Sequence, residues 1–140
     1  MKIDLHLHSY DGEDCFSDPE EIVQVAKAKR LDALCITNHD SFIPSEAVAR
    51  VGKEENFPIF IGVEYSSADG HLLLFGFHDE NYVSKKLRPA QEVIDYVTSH
   101  GGVIVPSHPY TTSNSRTMGD KVFSLRNIAA LETINSKRPS

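Results

Sequence analysis

Short apolar segments separated by polar stretches recur along the chain and predict six strands. Residues 2–7 alternate polar and apolar side chains, which is typical of a half-buried strand. Residues 32–37 are almost all apolar, which is typical of a strand that is buried on both faces. Further strands are predicted at residues 58–63, 71–77, 103–106 and 128–134.

Helix signals lie between these strands. Residues 18–21, Asp-Pro-Glu-Glu, place a capping side chain, a proline and two acidic residues where the first turn of a helix favours them. Helices are also predicted at residues 44–54 and 89–99, and Gly101 ends the second of these. The alternation predicts an α/β layer or barrel, in which ligands bind at the carboxyl ends of the parallel strands.

The connection between the third and fourth predicted strands is too short for a crossover between parallel strands. It contains Asp69-Gly70, which is a hairpin signal. The fourth strand is therefore predicted to run antiparallel to the third. With a two-residue turn, His71 lies opposite Ser66 and on the same face as Glu64.

Composition and charge limit the classes of function. A chain of 140 residues suits one domain over residues 1–140, and the net charge of −6 disfavours a nonspecific nucleic-acid binder. No apolar run approaches the ~20 residues of a membrane span, and no apolar stretch of a signal peptide opens the chain. Two cysteines without a CxxC spacing predict free thiols in a reducing cytoplasm.

The seven histidines provide the strongest sign of chemistry. His6 and His8 are two apart on a predicted strand, so both share a face with Asp4. His39 and His108 each follow a predicted strand. We therefore predict that imidazoles and carboxylates converge on one rim of the fold, and the candidate metal ligands are His6, His8, Asp14, His39, Glu64, His71 and His108.

This mixture of donors suits a cluster of two or three divalent metal ions. Imidazole binds Zn, Fe and Mn, and a carboxylate can bridge two ions. Such ions lower the pKa of a bound water and clamp the oxygens of a displaced phosphate. A lone strand histidine is more often a packed or surface residue, but five at one rim are hard to explain by packing. His78 and His100 are predicted to be structural or surface residues.

Six fragments occur in a fixed order: DLHLH at 4–8, Asp14 before 18–21, ITNHD at 36–40, GVE at 62–64, GH at 70–71 and SHP at 107–109. This ordered set resembles the PHP (polymerase and histidinol phosphatase) family of metal-dependent phosphoesterases. The resemblance implies a distorted (β/α)7 barrel with a three-metal site at its C-terminal rim. It also implies the ligand sets: His6 and His8 on one ion, Asp14 and His39 on another, and Glu64 bridging to a pair that His71 and His108 complete.

The chain departs from the family pattern in one residue and in one motif. The family usually has Asp where this chain has Asn38, and we expect the change to weaken the orientation of His39 without abolishing binding. The family's last motif, Asp-x-His, does not occur after His108. We therefore expect either a fragment of a longer protein or a shortened member with an incomplete site, in which the C-terminal part of the barrel is missing.

These observations predict a cytoplasmic metal-dependent phosphoesterase that uses metal-activated hydroxide. Asp40 is the candidate acid/base residue or holds a ligand in place. Arg116 is the candidate phosphate-binding residue, with an ordinary surface charge as its alternative. The expected substrate is a small phosphorylated metabolite or a nucleotide. A nucleic-acid end is disfavoured, no membrane partner is expected, and a homo-oligomer is left open.

Two alternatives to this function stay open. The first is a non-catalytic remnant of the fold that only binds metal or a partner. The second is a metal-dependent hydrolase of another bond, such as an amide.

Overall fold

A computed structural model describes residues 1–9, 17–111 and 117–133. Contacts between residues divide the chain into two compact units, Met1–Val63 and Glu64–Ser140. Both units combine strands with helices, which confirms the predicted α/β class. The single domain over residues 1–140 stays a prediction. In the part of the chain that is described, no helix is both long and apolar enough to cross a membrane.

The first unit contains a parallel three-stranded sheet. Strand β1 (Ile3–Leu7) pairs with β2 (Ala33–Ile36), whose other edge pairs with β3 (Ile59–Ile61). Helix α1 (Pro19–Ala28) precedes β2 in the chain, and helix α2 (Ser45–Glu54) precedes β3. Because β1 and β2 are parallel, the segments that follow them leave the sheet at the same edge. The core of this unit is a buried apolar cluster of Ile22, Val23, Ala26, Leu34, Ile36, Val48, Val51 and Phe57.

Helix α1 begins where the sequence predicts. The Asp18 side chain accepts a hydrogen bond of 2.9 Å from the backbone N–H of Glu20, and Pro19 occupies the first helical position. The cap satisfies one of the N–H groups that a helix start leaves without a partner. The prediction of this helix start is therefore confirmed.

Another three-stranded sheet begins at Val63, the last residue of the first unit, and its other residues belong to the second unit. Strands β4 (Val63–Ser66), β5 (His71–Phe75) and β6 (Val103–Pro106) lie in that order, and β6 runs antiparallel to β5. The described helices of this unit are α3 (Glu80–Val83), α4 (Ala90–Ser99) and a 3₁₀ helix (Gly119–Ser124). Helix α4 confirms the predicted helix, whereas α3 and the 3₁₀ helix are too short to give an apolar period in the sequence.

The predicted hairpin between β4 and β5 is confirmed. The backbone N–H of Ser67 donates to the Gly70 carbonyl at 3.2 Å and closes a two-residue turn over Ala68 and Asp69. Gly70 has φ +147°, and a Cβ there would lie 3.1 Å from the backbone of Met118. The turn thus requires glycine, and β5 starts with His71 directly after it.

The predicted strand over residues 58–63 divides into two. It ends as β3 at Ile61, and the Gly62 N–H still donates to the Ile36 carbonyl at 2.9 Å, while β4 begins at Val63 in the other sheet. Glycine in a strand often marks such a break, because it has no side chain to pack. The prediction of one continuous strand is therefore wrong.

The predicted strand over residues 128–134 is also wrong for its described part, residues 128–133, which forms no strand. Two hydrogen bonds join this segment to β6, from Ala129 N–H to the Ile104 carbonyl and from Glu132 N–H to the Pro106 carbonyl. From the first of these bonds to the second, the segment advances by three residues while β6 advances by two, so the register changes and no regular ladder forms. The described strands thus form two three-stranded sheets without a closed barrel, and the (β/α)7 barrel stays a prediction.

Candidate metal-binding clusters

Three histidines of the first unit lie together, and we call them the histidine cluster: His6, His8 and His39. The Nε2 atoms of His6 and His8 are 3.3 Å apart, and the ring centroids of His8 and His39 are 4.6 Å apart. His6 lies on β1, His8 follows it, and His39 comes shortly after β2. The parallel pairing of β1 and β2 therefore brings these rings together, as the period-two pattern predicts for the first two.

Asn38 connects the segments that carry this cluster. Its Oδ1 accepts from the backbone N–H of Ser9 at 2.9 Å, and its Nδ2 donates to the hydroxyls of Ser9 at 2.8 Å and Ser45 at 3.2 Å. All three residues are fully buried. Ser9 follows His8 and Asn38 precedes His39, so this amide fixes the backbone beside two of the three histidines.

Asp40 has a buried side chain and directly follows His39. Its exposed fraction is 5%, and its backbone has φ +53°, a left-handed conformation that Asp adopts more readily than most residues. A buried carboxylate beside a candidate ligand suits a proton-transfer or positioning role, which stays a prediction. Asp14 and Arg116 lie outside the described residues, so their predicted roles also stay predictions.

The second unit contains the Glu64 cluster, which consists of Glu64, His71 and His108. The Glu64 Oε1 atom lies 2.8 Å from His108 Nε2 and 3.2 Å from His71 Nδ1. The two imidazole rings meet edge to face with centroids 5.3 Å apart. All three side chains are buried, with exposed fractions of 2% for Glu64 and 7% for each histidine. The predicted hairpin places His71 on the same face as Glu64, and in the structure the two side chains are in contact.

Two residues that the sequence did not single out as functional adjoin this cluster. The Ser107 hydroxyl donates to Glu64 Oε1 at 2.7 Å. The Glu132 Oε2 atom accepts from the backbone N–H of His108 at 2.7 Å and lies 3.4 Å from Ser107 Oγ. His108 has φ +28°, so these contacts surround a strained backbone position. Ser107 stands within the SHP fragment, whereas Glu132 lies outside the six fragments.

The donor geometry of both clusters fits divalent metal ions. Two nitrogen ligands of a tetrahedral zinc ion lie roughly 3.3 Å apart at the usual bond length, and this matches the 3.3 Å between His6 and His8. The 2.8 and 3.2 Å contacts of Glu64 are short enough for one shared ion or proton. Imidazole with carboxylate is also the donor set of Zn, Fe and Mn sites.

Other histidine, lysine and cysteine side chains have different surroundings. His78 and His100 are exposed, and His100 caps helix α4, so neither belongs to these clusters. Lys121 forms an ion pair with Asp69. Burial raises the pKa of the Cys35 thiol to about 12, so it stays protonated and is a poor ligand or nucleophile at neutral pH.

A family model described as the PHP domain matches residues 4–114. The chain belongs to the PHP domain family. The match covers both clusters and Asp40, and it ends before Glu132. It confirms the family that the ordered fragments predicted.

Known proteins resemble this PHP domain over most of its length. An uncharacterized protein of Methanocaldococcus jannaschii, MJ1587, is 27% identical over 146 aligned positions, which cover 97% of this chain and 82% of the relative. The crystal structure of a predicted metal-dependent phosphoesterase from Bifidobacterium adolescentis superposes with a TM-score of 0.70 at 15% identity, covering 94% of this chain and 76% of that one.

A further structure with this fold is described as an enzyme of another class. An amidohydrolase from Chromobacterium violaceum, determined with bound sulfate and no metal, superposes with a TM-score of 0.64 at 16% identity. The superposition covers 88% of this chain and 71% of that chain. At these identities the structural matches establish the shared fold alone, since one fold can host different reactions.

Proposed function

We propose that this PHP domain is a metal-dependent phosphoesterase that hydrolyses the phosphate ester of a small metabolite or a nucleotide. The main support is the buried Glu64 carboxylate, which lies between His71 and His108 in a chain of the PHP family. Buried imidazoles and a buried carboxylate are costly unless they are paired or bind a metal. The predicted phosphoesterase with the same fold supports the same reaction class.

The proposed cofactors are two or three divalent ions of Zn, Mn or Fe. His6, His8 and His39, together with Asp14, would hold metal through imidazole nitrogens and a carboxylate. Glu64, His71 and His108 would do so in the second unit. When bound, such ions polarise the phosphoryl oxygens and lower the pKa of a bound water.

The remaining residues are proposed to move a proton and to bind the phosphate. The Asp40 side chain, in its protonated carboxyl form, would donate its proton to the leaving oxygen of the ester and be left as a carboxylate, a role that its burial beside His39 supports. The Arg116 guanidinium would bind the phosphate through paired hydrogen bonds. In this proposal no side chain of the protein forms a covalent intermediate with the substrate.

The cellular setting of the proposal follows from charge and composition. The net charge of −6 disfavours a nucleic-acid substrate, and the small phosphorylated substrate is expected in the cytoplasm without a membrane partner. A homo-oligomer stays open. We also propose that the protein adopts the distorted (β/α)7 barrel that the resemblance implies.

Hydrolysis of an amide is the second candidate function. The fold shared with the Chromobacterium violaceum amidohydrolase supports it. The same donor residues would hold metal ions for either reaction, because such ions, when bound, would activate water toward a phosphoryl or an acyl centre alike.

Metal content and turnover measured on the same samples test the proposal. The protein is purified without chelator, its metals are measured by elemental analysis, and p-nitrophenyl phosphate, nucleotides and amide substrates are assayed with Mn, Zn and Fe. Glu64→Gln is compared with the matched control Glu92→Gln, whose exposed carboxylate pairs with Arg88. We expect the wild type and the control to contain metal and to hydrolyse phosphate esters. Glu64→Gln should lose metal and at least about 100-fold in activity.

The other outcomes separate the alternatives. Bound metal without turnover of any substrate would favour a non-catalytic remnant. Turnover of amides alone would favour the second candidate. Absence of metal from freshly purified protein, together with failure to bind added metal, would contradict the assignment of both clusters.

A further inference from the structure

We propose that Glu132 is a positioning residue of the Glu64 cluster. In this arrangement it fixes the backbone of His108 and, through Ser107, the carboxylate of Glu64. The inference rests on the proposed function, because the cluster that Glu132 holds in place is the proposed metal site.

The first step is the contact between Glu132 and His108. The Glu132 side chain accepts from the His108 N–H at 2.7 Å, which is at the short end of the range for N–H···O bonds. The backbone N–H of Glu132 donates to the Pro106 carbonyl at 3.2 Å. One residue therefore binds the chain on both sides of Ser107.

The His108 backbone gives this contact its importance. Its φ of +28° is a conformation that a residue with a side chain rarely adopts without external support. The imidazole that lies 2.8 Å from Glu64 is carried by this backbone. Release of the N–H would let the backbone relax and move the ring away from its present position.

The second step passes through Ser107. A hydroxyl has one proton to donate, and Ser107 Oγ lies 2.7 Å from Glu64 Oε1 but 3.4 Å from Glu132 Oε2. The proton therefore belongs to the shorter bond, and Ser107 donates to Glu64. Ser107 is buried and directly precedes His108, whose backbone N–H binds Glu132. By holding the His108 backbone, Glu132 therefore also holds the Ser107 hydroxyl that orients the Glu64 carboxylate.

Cobalt binding tests the inference without an activity assay. Metal-free protein is titrated with Co²⁺, and its affinity and visible absorption spectrum are recorded for the wild type, Glu132→Ala, Glu132→Gln and the exposed control Glu92→Ala. We expect Glu132→Ala to bind about 10–100-fold more weakly with a changed spectrum. Glu132→Gln keeps an acceptor oxygen, so its affinity should return to within about tenfold of the wild type. The control should bind like the wild type.

Two cobalt results would overturn the inference. One is wild-type affinity and spectrum in Glu132→Ala. The other is binding by Glu132→Gln as weak as that of Glu132→Ala, because the acceptor oxygen would then be irrelevant. Circular dichroism verifies that each variant is folded, and if Glu132→Ala does not fold, the amide resonance of His108 in Glu132→Gln decides.

The backbone amide of His108 provides a test that is independent of metal. In the NMR spectrum of metal-free protein its proton should resonate at low field in the wild type and in Glu92→Ala. It should move far upfield in Glu132→Ala and less far in Glu132→Gln, whose amide oxygen is a weaker acceptor than a carboxylate. An unchanged resonance would overturn the inference. If instead the wild type binds no Co²⁺ while the amide responds as expected, the proposed function fails and the structural contact stands.

Discussion

The Asp69 carboxylate accepts a hydrogen bond of 2.8 Å from the backbone N–H of Ala90, and so caps helix α4 from the turn between β4 and β5. Pro89, at the N-cap position of this helix, makes no side-chain hydrogen bond to it. The other carboxylate oxygen of Asp69 pairs with Lys121. One side chain thus ties the turn that precedes His71 to a helix and to the 3₁₀ segment.

We predict that Asp69→Ala lowers the free energy of unfolding by about 1 kcal/mol, because it removes the cap of α4. The exposed amine of Lys121 should add little to this value. Urea unfolding at neutral pH measures the change, and Asp95→Ala, which removes an exposed carboxylate of the same helix, is the matched control. Equal losses in the two variants would show that Asp69 does not act as a cap.

The effect of Asp69 should depend on pH. The hydrogen bond from Lys121, followed by that from Ala90, holds the pKa of this carboxyl below its usual value of 3.8. Since the folded pKa is lower than the unfolded one, the stabilisation is fully present above about pH 5 and is lost as the pH falls through the folded pKa. The stability difference between wild type and Asp69→Ala should therefore shrink below about pH 4, as acid-dependent urea unfolding can measure. A difference that grows on acidification would contradict this assignment.

We predict that Asn38→Ala destabilises the protein by about 2–3 kcal/mol, since it leaves the buried Ser9 N–H without its acceptor. The variant should also bind metal more weakly, because the backbone beside His8 and His39 loses its support. Urea unfolding and Zn²⁺ titration measure the two effects. Asn81→Ala, on an exposed position of α3, is the control and should match the wild type in both.

Metal should stabilise the folded protein through the histidine cluster. Zn²⁺ or Mn²⁺ at 100 times its dissociation constant should raise the free energy of unfolding by about 2.7 kcal/mol. His8→Ala should lose the part of this gain that the histidine cluster provides, whereas His78→Ala, which removes an exposed histidine outside the clusters, should keep the whole gain. Thermal unfolding with and without metal, followed by EDTA, measures the shift. A full gain in His8→Ala would argue against metal binding by this cluster.

The buried thiol of Cys35 should be inert in the native protein. Its exposed fraction is 2% and its pKa lies at about 12, so almost no thiolate exists at pH 8. In a Cys15→Ser background, where Cys35 is the remaining cysteine of the sequence, a thiol reagent such as DTNB should not react until urea is added. Reaction of the native protein within seconds would contradict the burial.

Features that depend on near neighbours in the sequence were predictable. Asp18 and Pro19 identify a helix start by themselves, and Asp69-Gly70 identifies a hairpin. Two-residue spacing places His6 and His8 on one side of the backbone whatever packs around β1. The family, and the histidines of both clusters, were predicted from such short local motifs and from their order along the chain.

Features that depend on distant backbone groups were not predictable. Glu132 lies 24 residues from the His108 N–H that it binds, and an amide needing an acceptor leaves no mark in the sequence. The break at Gly62 likewise depends on which sheet each half of the predicted strand joins. Asp14 and Arg116, outside the described residues, remain predictions of the sequence alone.

The two-residue turn before His71 limits how this segment can change during evolution. Side chains alternate along β5, so an insertion of one residue that shifted its pairing would turn His71 away from Glu64 and exchange the two faces of the strand. A two-residue insertion would keep the faces and lengthen only the loop. Relatives that retain the Glu64–His71 pair should therefore differ in length here by even numbers of residues, and an odd difference should accompany the loss of one partner.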